Sequence, residues 1–193
     1  AVKATSPRVR VIEAIDGQLI TNNLIRPCRI KDGQAISDVQ NDLLKIVVVN
    51  RYAQANPSIS FATGFGLTAG AFASSVAHDS HNIVAVGTND SDLAAAINAV
   101  IQAKGGLSVS IDRETEVLPL PVAGLMSTES CEVVGNKYGK LDRKLKQMGT
   151  PLRAPFMTLS FMALLVIPSL KLSDKGLFDV DKFEFVPLFV DNC

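Results

Sequence analysis

The chain opens in short β-favouring runs. Val9-Arg10-Val11-Ile12-Glu13-Ala14-Ile15 and Gln18-Leu19-Ile20-Thr21 flank Asp16-Gly17. Asp-Gly between such runs predicts a hairpin, because its turn requires positive φ. Residues 24–30 continue the extended pattern, but Pro27 cannot donate to a ladder, so this piece is predicted as an edge strand. Lys31-Asp32-Gly33 closes the region, and residues 1–36 read as a small β element, the tail of a preceding domain.

A second pattern fills residues 37–193. Leu44-Lys45-Ile46-Val47-Val48-Val49 and Ile59-Ser60-Phe61-Ala62 predict buried strands, and residues 71–77 and 83–86 predict two more. Asp90-Ser91-Asp92 offers a helix start with acidic groups at the positive end of the dipole. Leu93, Ile97, Val100 and Ile101 follow at helical spacing until Gly105-Gly106. Residues 107–111 and 116–120 are the next strands. A second helix is predicted from Ser127, with Cys131, Val134, Tyr138, Leu141, Leu145 and Met148 in one apolar stripe and Gly149 as the stop. Phe183-Glu184-Phe185 and Leu188-Phe189-Val190 read as the last strand. Strands come both in pairs and alternating with helices, which predicts an α+β fold: a mixed β-sheet domain with at least two packed helices, preceded by a few strands of the small β domain.

Composition narrows the partners. Of 193 residues 47% are hydrophobic, enough for a substantial core, and the 20% charged residues argue against disorder. Lys plus Arg balances Asp plus Glu at 19 each, so bulk electrostatics gives no support for binding nucleic acid or an anionic membrane. The longest apolar run, residues 156–167, is too short to span a bilayer. Cys28, Cys131 and Cys193 form no C-x-x-C pair, which suits a reducing cytoplasm. The start at Ala1, without an initiator Met, suggests a piece of a longer polypeptide.

Both histidines fall in His78-Asp79-Ser80-His81-Asn82, between two predicted strands. If Asp79-Ser80 were a two-residue turn, the histidines would face each other across a hairpin, with α-carbons about 5 Å apart and both rings on one face. Such a pair could hold a metal, bind a polar substrate or relay a proton, with Asp79 orienting a ring. The competing reading is a polar turn bonded only to itself. Gly64-Phe65-Gly66-Leu67-Thr68-Ala69-Gly70 suggests a dinucleotide loop, but its third glycine comes one position late for G-x-G-x-x-G. The stretch to Ile83 is also too short for a strand and a crossover helix, so a tight turn is expected. Phe156-Met157-Thr158-Leu159-Ser160-Phe161-Met162 fits core packing better than a pocket lining. No G-x-S-x-G, G-x-x-x-x-G-K or H-E-x-x-H motif is present, nor the H-x-E and C-x-x-C pair of zinc nucleobase deaminases.

Three long strings carry a resemblance. Gly64-Phe65-Gly66-Leu67 with Ala73-Ser74-Ser75-Val76-Ala77-His78-Asp79-Ser80-His81-Asn82 and Val86-Gly87-Thr88 is the first. Leu118-Pro119-Leu120-Pro121-Val122-Ala123-Gly124-Leu125-Met126-Ser127 is the second, and Pro155-Phe156-Met157-Thr158-Leu159-Ser160-Phe161, continuing to Leu170-Lys171-Leu172-Ser173-Asp174-Lys175-Gly176-Leu177-Phe178, the third. Together they resemble the C-terminal domain of bacterial adenine deaminases, members of the amidohydrolase superfamily. Asn50-Arg51-Tyr52 departs from the resemblance, since many relatives carry a Glu and a His around the Arg.

The resemblance implies hydrolytic deamination of adenine to hypoxanthine and ammonia. It also implies a divalent metal (Mn, Fe or Zn) held by an N-terminal amidohydrolase barrel that this chain lacks, with no metal expected in this chain and no activity expected of it alone. On this reading His78, Asp79 and His81 are catalytic, Ser80 and Asn82 bind substrate and shape the turn, and the enzyme is a cytoplasmic protein able to form a homo-oligomer, with no nucleic-acid or membrane partner. Two other readings stand beside it: a structural module that caps the barrel or forms a subunit interface, and a free-standing nucleobase or metal sensor.

Overall fold

A computed structural model describes residues 2–190. Its strands are β1 (Val2–Lys3), β2 (Arg8–Ala14), β3 (Thr21–Pro27), β4 (Arg29–Lys31), β5 (Gln34–Ile36), β6 (Leu44–Val49), β7 (Ser58–Thr63), β8 (Ala71–Ser74) and β9 (Ile83–Gly87). After helix α1 (Asp90–Gln102) come β10 (Gly106–Ile111), β11 (Glu114–Pro119), α2 (Cys131–Gln147), α3 (Pro155–Ser160), β12 (Leu170–Ser173), β13 (Gly176–Asp179) and β14 (Glu184–Phe185). Eight strands form one sheet in the order β11-β10-β8-β9-β6-β7-β2-β3, antiparallel except for the parallel pair β2 and β7. With helices on both faces, this is the expected α+β architecture with a mixed sheet.

Side-chain alternation sorts the central strands between two cores. Ile46, Val48, Phe72, Val84 and Val86 face α2, α3 and the β12–β13 hairpin, where they meet Leu145, Phe156, Leu159, Met162 and Leu172. Their neighbours Val47, Ala71, Ala73, Ile83 and Ala85 face the other way, onto Leu93, Ala96 and Val100 of α1. The small residues on that face let α1 lie close. A Cβ at Gly87 would collide with Ala71 and Leu93. Because both faces are covered, β6 reads as a continuous apolar run rather than an alternating one. Its buried exception, Lys45, is paired with Asp90 at 2.6 Å.

Helix α1 starts one residue inside its cap, Asn89, whose side chain accepts the Asp92 N–H at 2.8 Å. Helix α2 starts later than predicted, because Ser130 rather than Ser127 caps it. Cys131 is consequently exposed at the first turn, and the buried stripe runs from Val134 to Met148. The predicted two-residue turn at Asp16-Gly17 is replaced by a loop over residues 15–20, since Ala14 pairs with Thr21. The predicted strand over residues 24–30 breaks at Cys28 into β3 and β4, which belong to different sheets, with Pro27 on the outermost strand of the larger one. Residues 155–160 form a short helix, with Pro155 in the first turn where its missing N–H is not needed.

The segment 1–36 thus contributes β2 and β3 to the large sheet, and β1, β4 and β5 to a separate three-stranded sheet in the order β1-β5-β4. The two ends of the chain meet along β2. Val9 bridges Phe189, the Arg10 N–H donates to the Leu188 carbonyl at 2.8 Å, and the Ser6 hydroxyl donates to the Val190 carbonyl at 2.6 Å. Cys193 lies outside the described residues. Among those described, Cys28 and Cys131 are free thiols and no helix is long and apolar enough to cross a membrane.

Candidate functional site

The histidine segment sits in the connection between β8 and β9, but not as a two-residue hairpin. The ladder stops at the pair Ser74–Val84, leaving residues 75–82 outside it. Two serines turn the chain away. The Ser74 hydroxyl accepts the Val76 N–H at 2.9 Å. Ser75 faces β10, donating to the Gly124 carbonyl at 2.6 Å and accepting the Gly106 N–H at 2.8 Å. A wider turn follows, in which the His81 N–H donates to the Ala77 carbonyl at 2.7 Å and the His78–Asp79 peptide is cis.

The two rings nevertheless come together, with centroids 5.7 Å apart. His78 lies flat on Phe161 at 4.9 Å and 16°, and its N–H donates to the Ser160 carbonyl at 2.9 Å, so the end of α3 supports the ring from beneath. His81 is oriented differently. Its Nδ1 accepts the Ala77 N–H at 3.3 Å, which assigns the ring's proton to Nε2 and makes it a neutral donor. Burial depresses its pKa below the ordinary histidine value. The neighbouring His78 and the Arg51 guanidinium push the same way, while Asp79 opposes them.

Asp79 and Ser80 are exposed at the tip. Among the described residues the Asp79 carboxylate bonds to neither ring, so its influence on His81 is through charge. Asn82 is buried, and its side-chain oxygen accepts the Arg51 N–H at 3.1 Å. Its Oδ1 is thus occupied by the segment after β6.

A segment that sequence reasoning did not connect to this turn holds it in place. The Arg51 guanidinium donates to the His81 carbonyl at 3.1 Å and the Ala123 carbonyl at 2.9 Å, and the Tyr52 hydroxyl donates to the Ser80 carbonyl at 2.8 Å. Asn50 shapes that segment by accepting the Tyr52 and Ala53 N–H groups. The available signal was an Asn-Arg-Tyr cluster directly after a buried strand. Nothing in its spacing points to residues about thirty positions away.

Two cavities flank α3. One of about 220 Å³ is lined by Val76, His78, Leu107, Tyr138, Phe156 and Met157. The other, of about 240 Å³, lies between Leu19, Met157, Thr158 and Phe161 under the Asp16–Arg153 ion pair. Both are smaller than the roughly 300–1,000 Å³ that encloses a drug-sized ligand. Each suits one small ring system or the edge of one.

The glycine-rich segment is a turn held by a carboxylate. Asp42 accepts the Gly64 N–H at 2.6 Å and the Gly66 N–H at 2.9 Å, so those donors are not free for a phosphate. Among the described residues no three His, Cys, Asp or Glu side chains lie together as a metal site would require. With His81 Nδ1 already accepting the Ala77 N–H, the turn does not supply a ligand set for a divalent metal.

Residues 18–184 match the family described as the adenine deaminase C-terminal domain. The chain is 54% identical over 192 residues to the adenine deaminase of Salinibacter ruber, covering 98% of this chain and 35% of that protein. It is 51% identical over 190 residues to that of Parabacteroides distasonis, with 98% and 35% coverage. For Methanosarcina mazei the figures are 50% over 185 residues, with 96% and 33% coverage. The chain therefore spans about a third of the length of these relatives. By sequence, the chain belongs to the adenine deaminase C-terminal domain family.

Proposed function

We propose that this domain forms part of the active-site wall of an adenine deaminase, whose full-length form hydrolyses adenine to hypoxanthine and ammonia. The reading rests on one observation: two imidazoles 5.7 Å apart, one stacked on Phe161 beside a small cavity and the other held as a neutral donor. Among the described residues His78's ring nitrogens have no hydrogen-bond partner, so on this reading His78 is the ring placed to exchange a proton with the substrate. His81 donates from Nε2 to an acceptor nitrogen of the purine. Asp79 biases the pair electrostatically, and Ser80 and Asn82 set the shape of the turn that meets the substrate.

The divalent metal, Mn, Fe or Zn, belongs on this reading to an N-terminal amidohydrolase barrel against which the turn docks. The enzyme acts in the cytoplasm, where free thiols such as Cys28 and Cys131 persist, and homo-oligomers are compatible with this arrangement. We assign β1, β4 and β5 to the small β domain that accompanies the barrel.

The test uses the full-length enzyme. His78→Ala is expected to lower adenine turnover about a hundredfold or more through loss of acid–base catalysis, and His81→Ala to raise KM as well. Unchanged kinetic constants in both variants, with normal metal content, reject the reading. They would favour an assembly role instead, for which the support is that Asn82 Oδ1, the Ser80 and His81 carbonyls and His81 Nδ1 all have partners inside the domain.

A further inference from the structure

Arg51 is the second residue after the central strand β6, and its side chain reaches across to two loops at once. One guanidinium nitrogen donates to the His81 carbonyl at 3.1 Å and another to the Ala123 carbonyl at 2.9 Å. The backbone N–H of the same residue donates to Asn82 Oδ1 at 3.1 Å. The guanidinium carbon lies 5.5 Å from the centre of the Tyr52 ring, whose hydroxyl takes the Ser80 carbonyl. Gly124 leaves the space this requires, since a Cβ there would collide with the guanidinium. Three successive residues of the turn, 80 to 82, are thus tied to one dipeptide.

We propose that Arg51 is a positioning residue for the deamination reaction: it fixes the turn so that His81 presents a neutral Nε2–H to the substrate, and it thereby sets the acidic limit of activity. The proposal rests on the reading of the histidine turn given above. A planar fork bridging two carbonyls is geometry that arginine supplies and lysine does not. Its charge acts in the same sense as its geometry. An imidazolium at His81 would face the guanidinium, and its new Nδ1–H would point at the Ala77 N–H that now donates to it.

The ionisable groups that face His81 are few. His78 and Asp79 come from its own turn, and Arg51 and Tyr52 from the segment after β6. The 121–126 loop and α3 carry no ionisable side chain. Of these, His78 and Arg51 disfavour the imidazolium and Asp79 favours it. Removing Arg51 therefore makes His81 easier to protonate, and activity that needs the neutral ring fails at higher pH.

The experiment measures kcat and KM for adenine between pH 5 and 9 in the full-length wild type, Arg51→Gln, Arg51→Lys and His81→Ala, with thermal melting and metal content for each. Arg51→Gln is expected to move the acid limb of kcat/KM up by about half a unit to one unit and to lower kcat at pH 7 about tenfold or more. Arg51→Lys keeps the charge but not the fork, so its kcat falls while its acid limb stays within about 0.3 unit of wild type. A folded Arg51→Gln enzyme with an unmoved acid limb overturns the proposal. If that variant does not fold, Arg51→Lys decides: a wild-type kcat overturns the proposal, and a reduced kcat with the limb in place supports it. His81→Ala separates the two levels. Wild-type kinetics there defeats the reading of the turn itself, whereas an impaired His81→Ala beside an Arg51→Gln enzyme with an unmoved limb defeats only the role of Arg51.

Discussion

Lys171 carries an ammonium into the interior on β12, with none of its surface exposed. Its Nζ donates to the Leu19 carbonyl at 2.8 Å and the Phe161 carbonyl at 3.1 Å, and no carboxylate is among its hydrogen-bond partners. Burial lowers its pKa from 10.5 to about 8. That depression corresponds to about 3 kcal/mol of folding stability forgone at neutral pH to keep the charge inside. Lys171→Met removes this penalty but leaves the Leu19 and Phe161 carbonyls without this donor, at about 1–3 kcal/mol each. At pH 7 the two effects nearly cancel, so a single stability measurement there decides little. The pH dependence decides. Because the folded pKa lies below the unfolded one, the unfolded chain binds more protons between the two values, and stability rises with pH across that window. Urea denaturation of the wild type and Lys171→Met at pH 7 and pH 10 is expected to show the wild type gaining about 2–3 kcal/mol relative to the variant, other titrations being common to both. Curves that stay parallel within about 0.5 kcal/mol would refute the assignment of a charged, buried Lys171.

Two further substitutions probe the same region and its frame. Phe161→Leu removes the ring beneath His78 and is expected to cost about 1 kcal/mol of stability, while lowering adenine turnover by the full-length enzyme about tenfold or more through a misplaced imidazole; unaltered turnover would show that the stack has no part in catalysis. Gly64→Ala places a side chain at φ +90° against the Ala14 carbonyl and is expected to destabilise the chain by about 2 kcal/mol or more, read as a lower urea midpoint; a midpoint equal to wild type would contradict that close approach.

What the sequence disclosed depended on whether a pattern was local. The β6 run and the α1 stripe, with its Asp90 and Asp92 start, are complete within one element and were legible. The start of α2 was misplaced because Ser127 and Ser130 are both competent caps, and Cys131 continues the apolar spacing while standing in solvent. Helix α3 spans only residues 155–160, too few for a period to show, although Pro155 was a usable start signal. The closeness of His78 and His81 was anticipated from their spacing, but its cause was different. A ladder ended by Ser74 and Ser75 leaves a wide turn, and the rings meet because Phe161 and the Ala77 N–H aim them. Arg51 and Tyr52 were invisible as supports since their partners lie in other loops. The parallel pairing of β2 with β7 was equally hidden, because residues of opposite sequence regions must cross over to make it.

The meeting of the two ends along β2 has a consequence for how this sheet can be rewired. Ser6 and Val190 are hydrogen-bonded neighbours separated by 184 positions, so closing that edge is the longest-range event in folding and carries the largest loop-closure cost. A short linker joining Val190 to Ser6 would turn this distant contact into a local one. A circular permutant opened instead at the exposed Asp32-Gly33 turn is then expected to keep the eight-stranded sheet and to refold faster than the natural order of segments.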